Sequence, residues 1–152
     1  MAPPADVPRQ GRRTRERGVT LLETLAGLGL ATILAGASVV RLVDLVATAR
    51  VTGAARTVAT ALRLARGIAL SGGGTTEVRF DASARTCQTR DTSGAVAETR
   101  FLPPGIGFVA LPARQRVQFY GLGTADNATV VIGAGTRVRR VVANQRGRVR
   151  VQ

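Results

Sequence analysis

Apolar and polar residues divide the first 70 residues or so into three segments. Residues 1–18 contain no apolar run, residues 19–40 are apolar or small except for Glu23, and later apolar residues recur at three- and four-residue steps. That last spacing is typical of an amphipathic helix. We therefore predict one long helix over about residues 21–70, uniformly apolar in its first half and one-sided in its second, which ends at the glycine run 72–74.

The rest of the chain has the pattern of short strands. Runs rich in Val, Thr and Phe alternate with turn-forming residues, no helical period survives, and Asn144-Gln145-Arg146-Gly147 is typical of a hairpin turn. The predicted fold class is therefore α+β, with the amphipathic half of the long helix packed on antiparallel β-sheet. Eight strands are predicted, at about 75–81, 85–90, 95–101, 106–111, 116–120, 128–132, 136–143 and 147–151.

The apolar segment has the length of a membrane span. Residues 19–40 would reach about 33 Å as a helix, which matches a bilayer core of about 30 Å. Arginines are concentrated just before this segment, so the positive-inside bias predicts a cytoplasmic N-terminus and an external C-terminal part. The predicted organisation is a basic leader at 1–18, a transmembrane helix at 19–40, its amphipathic continuation at 41–71 and a β domain at 75–152.

Composition excludes most catalytic chemistries. All 22 basic residues are arginine, histidine is absent, and Cys87 is the single cysteine. The chain therefore lacks a histidine base, a Schiff-base or phosphate-loop lysine and a multi-ligand zinc site. We predict no enzyme, no catalytic residue, no metal and no cofactor. Arginine at every basic position indicates a coding bias, so the net charge of +13 does not by itself indicate nucleic-acid binding.

The junction between the leader and the apolar segment reads Arg17-Gly18-Val19-Thr20-Leu21-Leu22-Glu23. It resembles the class III signal of type IV pilins and pseudopilins. The resemblance implies that a prepilin peptidase cuts between Gly18 and Val19 on the cytoplasmic face and methylates the new amine of Val19. Glu23 matches the acidic fifth residue of that family. A carboxylate costs about 2.5–3.5 kcal/mol at the bilayer centre and less toward the interface, so Glu23 needs the amine of Val19, its own or a neighbour's, as partner.

The C-terminal half resembles the GspH/FimT family of pseudopilins. In that family a pilin-like β domain follows such a helix, the subunits assemble with other pseudopilins or pilins in a filament, and the precursor is a single-pass protein of the inner membrane with a periplasmic domain. The resemblance implies a minor pseudopilin of type II secretion, or a FimT-like minor pilin that binds DNA for uptake. It rests on residues 117–121, 127–132, 139–142 and 147–150.

Arginines near the C-terminus are the candidate DNA-binding residues. The segment Gly147-Arg148-Val149-Arg150 matches the region that contributes to DNA binding in FimT proteins. Arg148 and Arg150 are predicted on one strand face, and the preceding strand adds three more guanidiniums for phosphates, from Arg137, Arg139 and Arg140. The alternative is a solvated edge that resists aggregation, because no aromatic residue is interleaved to stack on bases.

A conventional signal peptide is a further alternative. The basic residues 9–17, the apolar residues 19–34 and the motif Ala35-Gly36-Ala37 would allow cleavage after Ala37 and release of a secreted soluble domain. Glu23 inside the apolar stretch argues against it, as does the continuation of that stretch through residue 40. The sequence leaves open the secretion or pilus system, the exported substrate, the position in a filament and the role of Cys87.

Overall fold

The computed structural model describes residues 19–152, except for the side chains of residues 37–40, so the predicted leader lies outside the described residues. Helix and strands follow the predicted order, each within two residues of its expected bounds, and the α+β class is confirmed. The elements are α1 (Leu21–Gly72), β1 (Thr76–Asp81), β2 (Thr86–Arg90), β3 (Val96–Phe101), β4 (Gly107–Ala110), β5 (Arg116–Phe119), β6 (Ala128–Ala134), β7 (Arg137–Ala143) and β8 (Val149–Val151).

The strands form two antiparallel sheets of four strands each. The first sheet has the order β3-β2-β1-β5, and the second has the order β4-β6-β7-β8. Short turns join the paired strands β1–β2, β2–β3, β6–β7 and β7–β8, whereas β5 returns to pair with β1 and β4 pairs with β6. The chain divides into two compact units, Met1–Arg41 and Leu42–Gln152, and the second unit contains both sheets together with the C-terminal part of α1.

The core of the second unit lies between α1 and the inner faces of both sheets. Of the apolar helix positions at the predicted spacing, Ala54, Val58, Leu62, Ala65 and Ala69 are fully buried, because three- and four-residue steps return to one face of a helix. Small alanines on this face bring the helix close to the strands. The earlier members of the series, Leu42, Leu45 and Val46, are exposed. The sheets contribute buried apolar side chains, among them Val78, Phe80, Val117, Phe119, Val130, Ile132, Val141 and Val149.

Two contacts fix how the helix and the sheets meet. The buried hydroxyl of Thr76 in β1 donates a hydrogen bond to the Ala65 carbonyl of α1 at 2.8 Å. The rings of Phe80 in the first sheet and Phe108 in the second meet edge-on, with centroids 5.6 Å apart. Such edge-to-face pairs add stability beyond the area that they bury. The first contact holds β1 against α1, and the second joins the two sheets.

Candidate assembly segment and arginine faces

The N-terminal half of α1 exposes its apolar side chains. Leu21 is 80% exposed, Leu22 78% and Ile33 70%. The segment is long and apolar enough to cross a bilayer, and none of it is buried within the part of the chain that the structure describes. Gly27, Ala31 and Ala35 recur at four-residue steps along the helix, a spacing of small residues that lets neighbouring helices approach closely. The segment therefore has the length and composition of a membrane-spanning helix.

Glu23 lies in the first turn of α1, next to the residue that caps the helix. Its backbone N–H donates to the Thr20 carbonyl at 3.1 Å and to the Thr20 hydroxyl at 3.3 Å. Thr20 is thus the N-cap and Glu23 the third residue of the helix, the spacing of a capping box. An acidic residue here is also favoured by the helix dipole. The capping role of Thr20 was not predicted, although the Thr-x-x-Glu pattern signals it.

The other residues of the predicted signal are only partly within the described chain. Val19 precedes the N-cap and is 68% exposed, whereas Gly18 lies outside the described residues. Between residues 19 and 152, no cation lies within ion-pairing distance of Glu23. The cleavage after Gly18, the methylation of Val19 and the assembly role of Glu23 stay predictions.

The five candidate DNA-binding arginines are divided between the two faces of the second sheet. Along β7, Arg137 and Arg139 alternate in step with buried Val141, so they lie at the margin of the inner face. Arg140 lies on the opposite, solvent face. Arg150 shares that face, because its register partner is Val142, two residues beyond Arg140.

Arg140, Arg148 and Arg150 form an open group, which we call the second-sheet arginine face. All three are exposed, and no acid among residues 19–152 makes an ion pair with any of them. The backbone of Arg140 exchanges two hydrogen bonds with that of Gln152, at 3.0 and 2.8 Å, which brings the C-terminal strand alongside β7. These three guanidiniums are therefore available to anions in solution.

The remaining two arginines have partners of their own. Arg137 donates from Nη2 to Asp44 Oδ1 of α1 at 2.6 Å and so ties β7 to the helix inside the second unit. Arg139 donates to the carbonyl of Val138 at 3.2 Å. The structure thus brings three of the five predicted arginines together and separates two from them, because strand alternation sends successive residues to opposite faces.

The Gly147 turn is held against α1 by two arginines of the helix. Gly147 has φ of 68°, and a Cβ atom there would collide with the Gly123 carbonyl oxygen. That oxygen accepts a hydrogen bond from Arg66 Nε at 3.3 Å, and the Val149 carbonyl accepts one from Arg63 Nη2 at 3.4 Å. Glycine is therefore required at position 147 by both conformation and space. The supporting role of these helix arginines has no local sequence signal.

Acidic residues and the cysteine serve structural roles in the second unit. The pKa of Asp81 is lowered by hydrogen bonds from the Ala84 N–H and the Ser83 hydroxyl, which close its turn. Cys87 is completely buried, and burial raises its pKa to about 11, so its thiol is protonated at neutral pH. Within the described chain, no three His, Cys, Asp or Glu residues cluster closely enough to hold a metal ion.

A long N-terminal helix packed on antiparallel sheets is the fold of pilin-like subunits, and the resemblance seen in the sequence is confirmed for the fold. The chain is similar to the minor pseudopilin EpsH of the type 2 secretion system of Vibrio cholerae, with 18% identity, a TM-score of 0.55 and coverage of 68% of this chain and 96% of EpsH. It is also similar to the type IV minor pilin FimU of Pseudomonas aeruginosa, with 18% identity, a TM-score of 0.56 and coverage of 67% of this chain and 87% of FimU. No protein-family model and no curated protein matches the chain.

Proposed function

We propose that the chain is a minor pseudopilin, a non-enzymatic structural subunit of the pseudopilus of a type II secretion system that drives protein export. One observation carries this proposal. An exposed apolar helix segment of membrane-spanning length precedes a packed domain whose fold is shared with EpsH and FimU. EpsH and FimU match the fold equally well, with 18% identity each and TM-scores of 0.55 and 0.56. We put the secretion branch first because the DNA-binding alternative rests on arginines with no aromatic residue interleaved to stack on bases.

The proposed pathway starts in the inner membrane. The leader holds the N-terminus in the cytoplasm, and the second unit lies in the periplasm. Prepilin peptidase cuts between Gly18 and Val19 and methylates the new amine. The apolar segment then leaves the lipid for a bundle of equivalent helices, which costs little because neighbouring apolar helices replace lipid tails and small residues permit close packing. Glu23 pairs there with the Val19 amine of a neighbouring subunit.

A second candidate function is that of a FimT-like minor pilin that binds DNA. It is favoured by the second-sheet arginine face, where Arg140, Arg148 and Arg150 are exposed and make no ion pair within the described chain. Phosphate contacts from such arginines bind nucleic acid without reading its sequence. The subunit would then act in DNA uptake, on the same filament fold.

Deletion of the gene separates the two candidates. For a secretion pseudopilin, we expect the deletion strain to retain its normally exported proteins in the periplasm, with export restored by the full-length gene. DNA uptake should be unchanged. Normal export together with lost uptake would contradict the secretion role and support the pilus role.

A further inference from the structure

The solvent face of the first sheet carries a cluster of arginines that filament assembly does not use. Glu77 of β1 lies at its centre, with a side chain only 14% exposed. Its carboxylate pairs with Arg79 through Oε1 and with Arg116 through Oε2 at 3.2 Å, and Arg90 Nε lies 3.9 Å away. One carboxylate therefore faces three guanidiniums, and the cluster has two positive charges in excess.

Arg79 and Arg116 form a like-charged pair across two strands. They are direct partners in the register of β1 and β5, on the same face of the sheet. The Cβ atoms of directly opposed residues are about 4.5–5.5 Å apart, and like charges in this position destabilise a sheet. Glu77 takes one N–H group from each. Since a guanidinium has five N–H donors, most of the donors of this pair stay available.

A cleft beside this pair adds a third cation. Its volume is about 450 Å³, and its lining comprises Arg79, Phe80, Arg114, Gln115 and Arg116. Gln115 has φ of 49°, and the hydrogen bond from the Phe80 N–H to its carbonyl, at 2.8 Å, ties its turn to β1. Gln115, in this left-handed backbone conformation, lies between Arg114 and Arg116 and lets both border one cleft.

The other charged groups nearby are engaged elsewhere. Asp81 accepts hydrogen bonds within its own turn, from the Ser83 hydroxyl at 2.6 Å and the Ala84 N–H at 2.8 Å. Arg90 donates from Nη1 to the Gly94 carbonyl at 3.2 Å, and it borders an adjoining cleft that shares Arg79, Phe80 and Gln115 with this one. Three guanidiniums thus border the cleft. Among residues 19–152, Glu77 is the one acid that pairs with Arg79 and Arg116, and Arg114 makes no ion pair.

We infer that this cleft binds a tetrahedral oxyanion of the phosphate class, held between Arg79 and Arg116 and closed by Arg114. Guanidinium groups match phosphate oxygens with paired, charge-assisted hydrogen bonds. A bound phosphate group neutralises the excess charge and removes the repulsion between the opposed arginines. Glu77 accepts one hydrogen bond from each of these arginines and lowers the net positive charge beside the cleft. The site is independent of the filament role, and its phosphate comes from a lipid headgroup or from free inorganic phosphate.

Thermal unfolding of the full-length protein in non-ionic detergent micelles tests the inference. At constant ionic strength, replacement of chloride by inorganic phosphate should raise the unfolding temperature saturably, by about 5 °C at ten times the half-saturating concentration. The double variant Arg79→Gln, Arg116→Gln should lose this rise. The matched control Arg50→Gln, Arg56→Gln removes the same charge from the exposed side of α1 and should keep it. An equal loss in both variants, or no saturation in the wild type, would overturn the inference.

A second variant, which removes a negative charge instead of positive ones, covers the case in which the double variant does not fold. Glu77→Gln leaves one more excess positive charge at the cleft, so phosphate should half-saturate it at a severalfold lower concentration. A purely structural Glu77 would lower the unfolding temperature without changing that concentration. Phosphatidic acid added to the micelles identifies the source of the bound phosphate. If phosphatidic acid binds more tightly than inorganic phosphate, the ligand is a lipid headgroup; if it binds more weakly, the ligand is free phosphate. Binding of neither contradicts the site.

Discussion

Glu23 occupies a position at which two physical roles coincide. At the third residue of α1 it completes a capping box with Thr20 and lies at the positive end of the helix dipole. In the proposed filament it also supplies a buried negative charge for the Val19 amine of a neighbour. Glutamine preserves the capping geometry but removes the charge, so substitution can separate the two roles.

Glu23→Gln and Glu23→Ala should both fail to enter filaments, because each removes the charge that pairs with the neighbouring amine. Thr20→Ala, which loses the cap at a cost of about 1 kcal/mol of helix stability but keeps the charge, should still assemble. Immunoblots of sheared filaments measure incorporation. Unfolding of the second unit should be unchanged in all three variants, since both positions lie in the first compact unit. Wild-type incorporation of the glutamine variant would show that the charge is incidental.

Gly135 in the β6–β7 turn and Gly147 in the β7–β8 turn provide matched substitutions that separate backbone strain from crowding. Both have positive φ, 68° and 58°, but only Gly147 is crowded, by Gly123 and Arg66. Gly135→Ala should cost about 1 kcal/mol from backbone conformation alone. Gly147→Ala should cost about 1–3 kcal/mol more, because the added methyl displaces packed groups. Urea unfolding measures the difference, and equal losses would contradict the packing argument.

Cys87 makes stability depend on alkaline pH. Its pKa is raised by burial from 9.0 to about 11 in the folded state, so the unfolded thiol ionises first. The protonated Cys87 thiol therefore contributes to the free energy of unfolding below pH 9. This contribution falls by about 2 kcal/mol as the pH rises from 9 toward 11. Wild-type protein should therefore lose more stability between pH 9 and 11 than Cys87→Ala in urea unfolding. Parallel pH profiles of the two proteins would show that the thiol does not titrate differently on unfolding.

α1 combines an apolar exposed half with an amphipathic buried half, and its function depends on where the chain is cut. In cells with prepilin peptidase, we expect the mature protein to begin at Val19 and to carry an N-terminal methyl group. Intact mass spectrometry measures both features. A start at Ser38 would instead indicate signal peptidase cleavage after Ala37, and an unprocessed chain would contradict the pilin signal.

The complete chain carries a net charge of +13, so diffuse attraction to DNA must be distinguished from a site. If the second-sheet arginine face binds DNA, affinity should fall with salt at a log–log slope of about −0.9 per phosphate neutralised. Arg148→Gln, Arg150→Gln should reduce that slope by up to about two units. Filter binding or fluorescence anisotropy at several salt concentrations gives the slope.

The control for that experiment follows from the structure. Arg63 and Arg66 donate hydrogen bonds to carbonyls at positions 149 and 123, so their loss would disturb the hairpin itself. Arg50→Gln, Arg56→Gln removes two exposed charges of α1 instead. This control should change the slope less than the hairpin variant does. Equal effects of both pairs of substitutions would indicate only diffuse attraction to DNA, and the secretion role would be the one proposal left.

The local elements of this protein were determined by its sequence. The helix, the eight strands and the turn before Gly147 could be predicted because a period of 3.6 or 2 residues and a run of turn formers are local properties. The resemblance to pilin-like proteins could be found for a similar reason, since the residues around Glu23 that carry it are contiguous. The capping role of Thr20 is equally local, since its Thr-x-x-Glu pattern lies within four consecutive residues.

The tertiary structure alone decided which charges meet. Arg137 pairs with Asp44, 93 residues away, and Arg116 reaches Glu77 across 39 residues. Such partners depend on which strands become neighbours and on which face turns to the core, and neither is encoded in a local period. For that reason, five arginines that looked convergent in the sequence lie on two faces. The arginine cluster around Glu77, assembled from three strands, had no contiguous signal.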